Sequence, residues 1–450
     1  MVAITPTETR CDFVRWFRDS TPYINDFRDR VFVINFGGEL FSEDQFGPLL
    51  HDIALLNSLG VRLVLVHGAR PQIDDKLKRY RLTIDYSNGL RITTAKVLQL
   101  VKEAVGTIRI EIEARFSQGL ANSPLAGAAI RVVSGNFVTA QPLGIRDGVD
   151  YQHTGEVRRI NHTAILRQLE QGDIVLLSPL GYSPTGEAFN LSAEDVATAA
   201  AVALRADKLI SLIDTPGLLN GQGEVVRQLS IEEAEQFLHH HPQLEQSSAK
   251  ALFSAIYACH QGVQRTHLID RHHNGALLLE LFSRDGIGTL INSDNYETIE
   301  SASIDDIAGL LELIEPLEAE GVLVRRSREL LEMEINRFIL VKLDSATIGC
   351  AALYPFESEK IAEIACFAIH PDYRNVGRGD RLLNYLQQIA IHLGIERLFV
   401  LTTRTSHWFL ERGFEEGNLR QLPLERQRLY NYQRCSRVYV KRLQQGATRR

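Results

Sequence analysis

From Val31 onward the chain alternates short apolar runs with longer segments of helical period. VFVINF, VRLVLVHG, DIVLLSPL and KLISLID are almost unbroken aliphatic stretches of strand length, each ending near a glycine, a proline or a polar turn. That pattern belongs to strands buried on both faces. Between them QFGPLLHDIALLNSLG and SAEDVATAAAVALRA repeat apolar residues at helical spacing, and the second opens on Ser192 with Glu194 and Asp195 in its first turn, a helix start. The alternation predicts a mostly parallel sheet with helices on both faces and ligands outside the carboxyl ends of its strands. Ahead of it, CDFVRWFRDSTPYINDF is amphipathic and too isolated for a core of its own, which predicts a helical arm over residues 1–29 that packs on something else.

After GIGTLIN the pattern changes. SDNYETIESAS is polar and poor in aliphatics and predicts a linker over residues 294–301, separating a first domain of residues 30–293 from a second of residues 302–450. The second reads as helices SIDDIAGLLELIEPLEAEG and RSRELLEMEIN, then strands FILVKLD, TIGCAALYPF and KIAEIACFAIHP. A helix GDRLLNYLQQIAIHLG, a strand RLFVLTT, a short helix HWFLERGF and a strand SRVYVKRL complete it. Hairpins followed by one strand-loop-helix unit predict a mixed α+β domain. No internal repeat is visible, and 450 residues exceed what one core organises.

Composition narrows the class. Hydrophobic residues at 44% and charged residues at 23% exclude a mostly disordered, collagen-like or coiled-coil chain. The net charge of −7 hides a basic end, where nine Arg or Lys between Arg420 and Arg450 stand against one acid, Glu425; such a face attracts phosphates or carboxylates. Cys11, Cys259, Cys350, Cys366 and Cys435 are widely spaced, so neither a disulfide framework nor a metal site is expected. The run His239, His240, His241 sits in a polar helix-end segment before Pro242 and is not expected to bind metal. Without a signal pattern or an apolar run near the roughly 18 residues of a membrane helix, the chain is expected to be cytoplasmic, with no membrane or nucleic-acid partner.

The most specific local feature is the run from Arg374 through Gly377 and Arg378 to Gly379, set between strand KIAEIACFAIHP and the helix that follows. Glycines there let backbone N–H groups approach an anion, and the helix N-terminus adds a favourable dipole. This run resembles the acetyl-CoA loop of the Gcn5-related N-acetyltransferases, whose pattern is Arg or Gln, two residues, Gly, one residue, then Gly or Ala. The resemblance implies acetyl-CoA as co-substrate, bound by Arg374, Gly377, Arg378, Gly379 and a bulged strand spanning Cys366, Phe367, Ala368 and Ile369. Attack of an amine on a thioester requires removal of the amine proton. Glu363 is expected to be that base, and a bulge between it and Cys366 would bring both to one cleft. The helix HWFLERGF carries Phe409 where such enzymes often place a tyrosine acid, so Thr402, Tyr430 or solvent must protonate the thiolate, with Thr402 the first choice.

In the first half VFVINFGGEL, LVLVHGARPQID, FNLSAEDVATAAA and LISLIDTPGLL resemble the amino acid kinase fold, acetylglutamate kinases in particular, from Val31 to Asn292. One departure matters: those kinases carry a lysine where this chain has Asn35, and the second loop reads Gly68-Ala69-Arg70. Phosphoryl transfer relies on charge neutralisation, so the domain is expected not to phosphorylate. RTHLIDRHHNGALLLELFSRDGIGTLI resembles the arginine-binding segment of arginine-inhibited members, which implies a site of Tyr23, Lys250, His267, Glu280 and Gly286.

A kinase-like domain ahead of an acetyltransferase resembles the bacterial two-domain N-acetylglutamate synthases. That resemblance implies acetyl transfer from acetyl-CoA to L-glutamate, the first step of arginine biosynthesis, with L-arginine as inhibitor and a homo-oligomer, a hexamer in that family. It also implies a glutamate site of the Val324 backbone, Arg326, Cys366, Arg434 and Ser436; two carboxylates suit two guanidinium forks. A working acetylglutamate kinase with an appended acetyl-CoA-binding domain, and a non-catalytic arginine sensor, stand as the alternatives.

Overall fold

The computed structural model describes residues 14–443, except 15, 19, 43–45, 84, 88, 119–124, 284–285, 293–296, 344–345, 375–376 and 429–435. The chain divides into two compact units, Met1–Asp294 and Asn295–Arg450.

The first unit opens with helical residues 16–18, a turn at Ser20 and helix α1 (Thr21–Phe27). The sequence predicts one continuous arm. Pro22 falls in the first turn of α1, where a missing N–H costs least. Strand β1 (Val31–Phe36) is buried along its whole length. Helix α2 (Phe46–Ser58), β2 (Arg62–His67), α3 (Arg70–Arg79) and α4 (Ala95–Phe116) follow. Next come β3 (Val132–Ser134), β4 (Val138–Pro142), β5 (Gly155–Ile160), β6 (Ile174–Leu177), β7 (Leu180–Tyr182) and β8 (Ala188–Asn190). Helix α5 (Ala193–Leu204) starts where the pattern places it, with the Ser192 hydroxyl accepting from the Asp195 N–H at 3.2 Å. Strand β9 (Lys208–Ile213), β10 (Gln228–Ser230), α6 (Gln246–His260), β11 (Arg265–Asp270), α7 (Ala276–Phe282) and β12 (Thr289–Asn292) complete the unit.

Eight strands form the main sheet in the order β10-β12-β11-β9-β1-β2-β6-β3. Every neighbouring pair is parallel except β11 with β12. Because β1 and β2 are buried on both faces, successive residues serve two cores. Phe32, Ile34, Leu63 and Leu65 pack with α2 and α4, whereas Val31, Val33, Val64 and Val66 pack with α5. A separate four-stranded sheet, β8-β7-β4-β5, carries no clear strand signal in the sequence; its strands are short and half-exposed, so their alternation is diluted.

The second unit is built on a seven-stranded sheet. Its first strand, β13 (Glu297–Ser301), occupies most of the segment expected to be a linker and pairs antiparallel with β14 (Phe338–Leu343). It is an edge strand, where one face and one side remain open to water, so polar residues suit it. Between them lie α8 (Ile307–Ala319) and α9 (Arg328–Glu334). The chain continues through β15 (Ala346–Phe356), β16 (Ile361–Ile369), α10 (Arg378–His392), β17 (Arg397–Thr402) and α11 (Ser406–Leu410). Strand β18 (Glu415–Glu416), α12 (Leu424–Arg428) and β19 (Arg437–Arg442) close it. The order is β13-β14-β15-β16-β17-β19-β18, with β16 and β17 the parallel pair. Helix α10 covers one face through Leu382, Leu383 and Leu386, and α8 covers the other through Leu310, Leu313 and Ile314.

Candidate functional site

The chemistry of the second unit gathers where β16 departs from regular geometry. Strand β16 pairs with β15 from Ile361 opposite Phe356 to Ala365 opposite Ala352, then from Ala368 opposite Cys350 onward. Two residues, Cys366 and Phe367, therefore face one, Ala351, and Cys366 takes a φ of 50°. This is the expected bulge. It carries Cys366 into the same layer as Cys350, Ala352 and Ala368, on the sheet face shared by Glu363 and its cross-strand partner Tyr354. On its other side β16 pairs with β17 only from Ile361 opposite Arg397 to Ile364 opposite Val400, although both strands run on. The parting leaves one backbone edge of residues 365–369 facing a cleft.

The glycine loop closes one end of that cleft. Gly377, at φ 74°, is the residue preceding α10, and Arg378 and Gly379 form its first turn. Arg374 Nε donates to the Ile369 carbonyl at 3.1 Å, fastening the loop to the end of β16, and Arg378 Nη1 donates to the Tyr373 carbonyl at 3.3 Å. A Cβ on Gly379 would stand 2.9 Å from Trp408, whose ring lies 5.1 Å from Phe367. Glycine is thus required there by close approach of α11, and the N–H groups of a 15-residue helix remain at the cleft.

Acceptor-side residues converge on the face of β16 opposite α10. Arg326 lies beside Cys366 and Tyr354; burial works against its charge, but the Cys366 thiol and the Tyr354 hydroxyl hold its guanidinium above the ordinary range. Its Nη1 donates to the Val324 carbonyl at 3.1 Å, so these two expected residues meet. The Cys350 thiol donates to the Cys366 carbonyl at 3.3 Å, and its interaction with the Cys366 thiol, helped by Arg326, brings that thiol below the usual range against burial. Tyr354, absent from the sequence-based set, donates to Glu334 at 2.6 Å, and burial pushes it up to about 12. Glu363 is 6% exposed, and both its oxygens are engaged by Arg426, Nε at 2.6 Å and Nη2 at 3.0 Å. Arg426 was also missed, because it stands on a polar segment 63 residues away. Thr402 accepts from the Arg404 and Thr405 N–H groups at 3.3 and 3.1 Å and so organises the turn after β17. Ser436 lines a cavity of about 600 Å³ with Asn418, Arg420 and Arg437. Tyr430 and Arg434 lie outside the described residues.

A second polar cluster is buried in the first unit. His267 on β11 donates from Nδ1 to Glu280 Oε1 on α7, at 2.7 Å. The other Glu280 oxygen accepts from the Ile287 and Gly288 N–H groups at 2.7 and 2.8 Å. Burial would raise Glu280, but the His267 bond and those amides take it down to about 2. Burial and the neighbouring Lys208 ammonium lower His267 and keep its ring neutral; Nε2 faces Lys208 Nζ at 3.5 Å. Gly286, at φ 57°, must be glycine, since a Cβ would stand 2.6 Å from Glu280. Phe27 on α1 lies 5.4 Å from Phe282 and under Lys208 at 5.2 Å, and Tyr23 reaches the cluster through Phe27 at 6.1 Å. Of the expected set, Tyr23, His267, Glu280 and Gly286 come together. Lys250 instead donates to Ser192 at 2.6 Å and Glu194 at 3.1 Å at the start of α5. The cation found beside His267 is Lys208, a lysine at the start of a strand whose burial the sequence does not announce.

The glycine turns of the same unit are poorly suited to a phosphoryl group. Asn35, 7% exposed, offers an amide where a cation is needed, and its Oδ1 has no hydrogen-bond partner among the described residues. The Glu39 carboxylate lies over Gly37, adding negative charge where an anion would sit. Beyond it Gln72 donates to the Gly38 carbonyl at 2.6 Å. Among the described residues no group of three His, Cys, Asp or Glu side chains is placed to hold a metal ion.

Residues 30–270 match the model of the amino acid kinase family, and residues 307–414 match that of the acetyltransferase (GNAT) family. The amino-acid acetyltransferase of Azotobacter vinelandii is 52% identical over 433 residues, covering 96% of this chain and 100% of that protein. Its counterpart from Serratia proteamaculans is 50% identical over 436 residues, covering 96% and 99%. Among solved structures, the N-acetylglutamate synthase of Neisseria gonorrhoeae complexed with coenzyme A and L-arginine matches with a TM-score of 0.87 at 37% identity, over 96% of this chain and 99% of that one. The same enzyme with coenzyme A and N-acetyl-glutamate gives 0.61 over the same shares.

Proposed function

Because the chain belongs to the amino-acid acetyltransferase family, we propose that it transfers the acetyl group of acetyl-CoA to the amine of L-glutamate and that L-arginine, bound in its kinase-like unit, inhibits the transfer. The observation that carries the acetyl-transfer reading is the break in β16: a bulge at Cys366, a ladder to β17 that ends at Ile364, and Arg374, at the start of the glycine run, bonded to the Ile369 carbonyl. In this reading the N-terminus of α10 and the loop from Arg374 to Gly379 hold the pyrophosphate, and the open edge of residues 366–369 holds the thioester arm. A backbone N–H beside the bulge stabilises the oxyanion that forms when the amine adds to the thioester carbonyl.

Glu363 takes the proton that the ammonium must lose, through a water, and the C–S bond breaks as the carbonyl reforms. Coenzyme A leaves as the thiol, with Thr402 as the proton donor; its oxygen accepts the turn N–H groups and lies 2.8 Å from the Thr405 hydroxyl, so Thr402 must turn its proton from Thr405 to the thiolate. Arg326 with the Val324 backbone anchors one carboxylate of the acceptor beside Cys366, and Arg434 and Ser436 anchor the other. Glutamate, whose two carboxylates suit two guanidinium forks, is the acceptor this set favours.

The arginine site rests on charge arrangement. An effector with a carboxylate and a guanidinium needs one cation and one anion, and Lys208 and Glu280 stand on opposite sides of a neutral His267. Such feedback fits a reaction at the first step of arginine biosynthesis. The exposed apolar residues Val14, Trp16 and Phe17 of the arm support association of copies into a homo-oligomer. Kinase activity is disfavoured by Asn35 and Glu39. Incubation with acetyl-CoA and a panel of amino acids should acetylate glutamate alone to a substantial extent, and N-acetylglutamate with ATP should yield no ADP. Acetylation of another amino acid in preference, or ADP formation, would replace this reading.

A further inference from the structure

A carboxylate buried to the extent of Glu363 must find a cation or take up a proton. Arg426 provides the cation with both arms of its fork, at 2.6 and 3.0 Å. The helix that carries it, α12, is fixed against the strand it serves. Leu422, 2% exposed, packs with Ile361, Phe399 and Val438 on the Glu363 face of the sheet. The Leu424 N–H donates to Glu359 at 3.3 Å, just ahead of β16, and Gln427 returns to the Leu422 carbonyl at 2.7 Å. From β15 Tyr354 is the cross-strand neighbour of Glu363, with its hydroxyl turned to Glu334 and Arg326. The opposing residue on β17 is Phe399, which carries no charge, and Cys366 is the further titratable group along β16 itself.

We infer that Arg426 is a positioning residue for acetyl transfer, holding the Glu363 carboxylate in one orientation so that it is ready to accept the proton of the incoming ammonium. This rests on the reading of Glu363 as base. A base that is buried without its cation keeps its proton to higher pH, and a carboxylic acid cannot take a second one. Loss of Arg426 therefore acts through Glu363 on the pH dependence of turnover, and leaves acceptor binding alone, because the acceptor anchors are other residues.

The experiment compares kcat and KM for glutamate from pH 5.5 to 9 in the full chain, for wild type, Arg426→Ala, Arg426→Lys and Glu363→Gln. For Arg426→Ala, the acid limb of kcat/KM should move up by about one unit, so that activity falls about tenfold relative to wild type at pH values below the limb and recovers above it, with a KM within about twofold. Arg426→Lys keeps the charge and loses the fork, so its limb should lie between the two; it also serves if the alanine variant does not fold. An unmoved acid limb in both variants overturns the inference, whether KM rises, which would make Arg426 an acceptor anchor, or only thermal stability falls. Wild-type turnover in Glu363→Gln would overturn the base reading and this inference with it, whereas loss of turnover there with unmoved limbs in the Arg426 variants overturns the inference alone.

Discussion

Single residues decide what each unit can do, and their readability depends on how local their partners are. Ser192 was legible as a helix cap because its partner, the Asp195 N–H, lies three residues away. The pairing of Glu363 with Arg426, of Arg326 with Tyr354, and of Lys208 with His267 depends on segments that only the folded sheet brings together. His67 is a case with a measurable consequence. It is fully buried at the end of β2, with Nδ1 donating to the Gly68 carbonyl at 3.1 Å and Nε2 accepting from Ser178 at 2.9 Å. Burial pushes the ring from its ordinary 6.5 down to about 4. The folded state thus binds fewer protons than the unfolded one between those values, so this contribution is complete above pH 6.5 and is lost as pH falls toward 4, to the extent of about 3 kcal/mol. Asp52, which burial raises to about 6, works in the opposite direction, so the readout is a difference. Urea unfolding of the first unit's transition at pH 7 and pH 4.5 should show wild type losing more stability than His67→Gln; equal losses would contradict the assignment.

At the scale of elements, the fold was legible where burial imposes a clean period. The four aliphatic runs became β2, β6, β9 and the fully buried β1, and the two quoted helical segments became α2 and α5. Strand β13 was missed because an edge strand needs only one apolar face, and Ile299 alone packs inward. The bulge was expected from the resemblance to the Gcn5-related acetyltransferases, and it falls at Cys366 and Phe367. Helices α10 and α11 illustrate how closely two elements approach at the glycine loop. Gly379→Val would drive a side chain into Trp408 and, through it, Phe367. Such overpacking costs about 1–3 kcal/mol. Expected is a rise of roughly tenfold in the KM for acetyl-CoA, corresponding to about 1.4 kcal/mol, with the KM for glutamate unchanged; equal changes in both would place the effect outside the co-substrate cleft.

Across the whole molecule, the larger unit matches the amino acid kinase family but carries Asn35 and Glu39 at its first glycine turn, while the smaller one matches the acetyltransferase family. Coupling between them requires that arginine bind two states of the protein unequally. Glu280 is the residue to interrogate: ionised, buried and clasped by His267 and two amides, it is remote in sequence from every residue assigned to catalysis. The most direct measurement is the initial rate of coenzyme A release with acetyl-CoA and L-glutamate, titrated with L-arginine, in wild type and Glu280→Ala. Expected is a glutamate-dependent rate that arginine suppresses in wild type by at least about tenfold, and a Glu280→Ala rate that keeps its basal value while losing most of that suppression. A wild-type rate independent of glutamate would contradict the assigned reaction, and full suppression in Glu280→Ala would place the effector elsewhere.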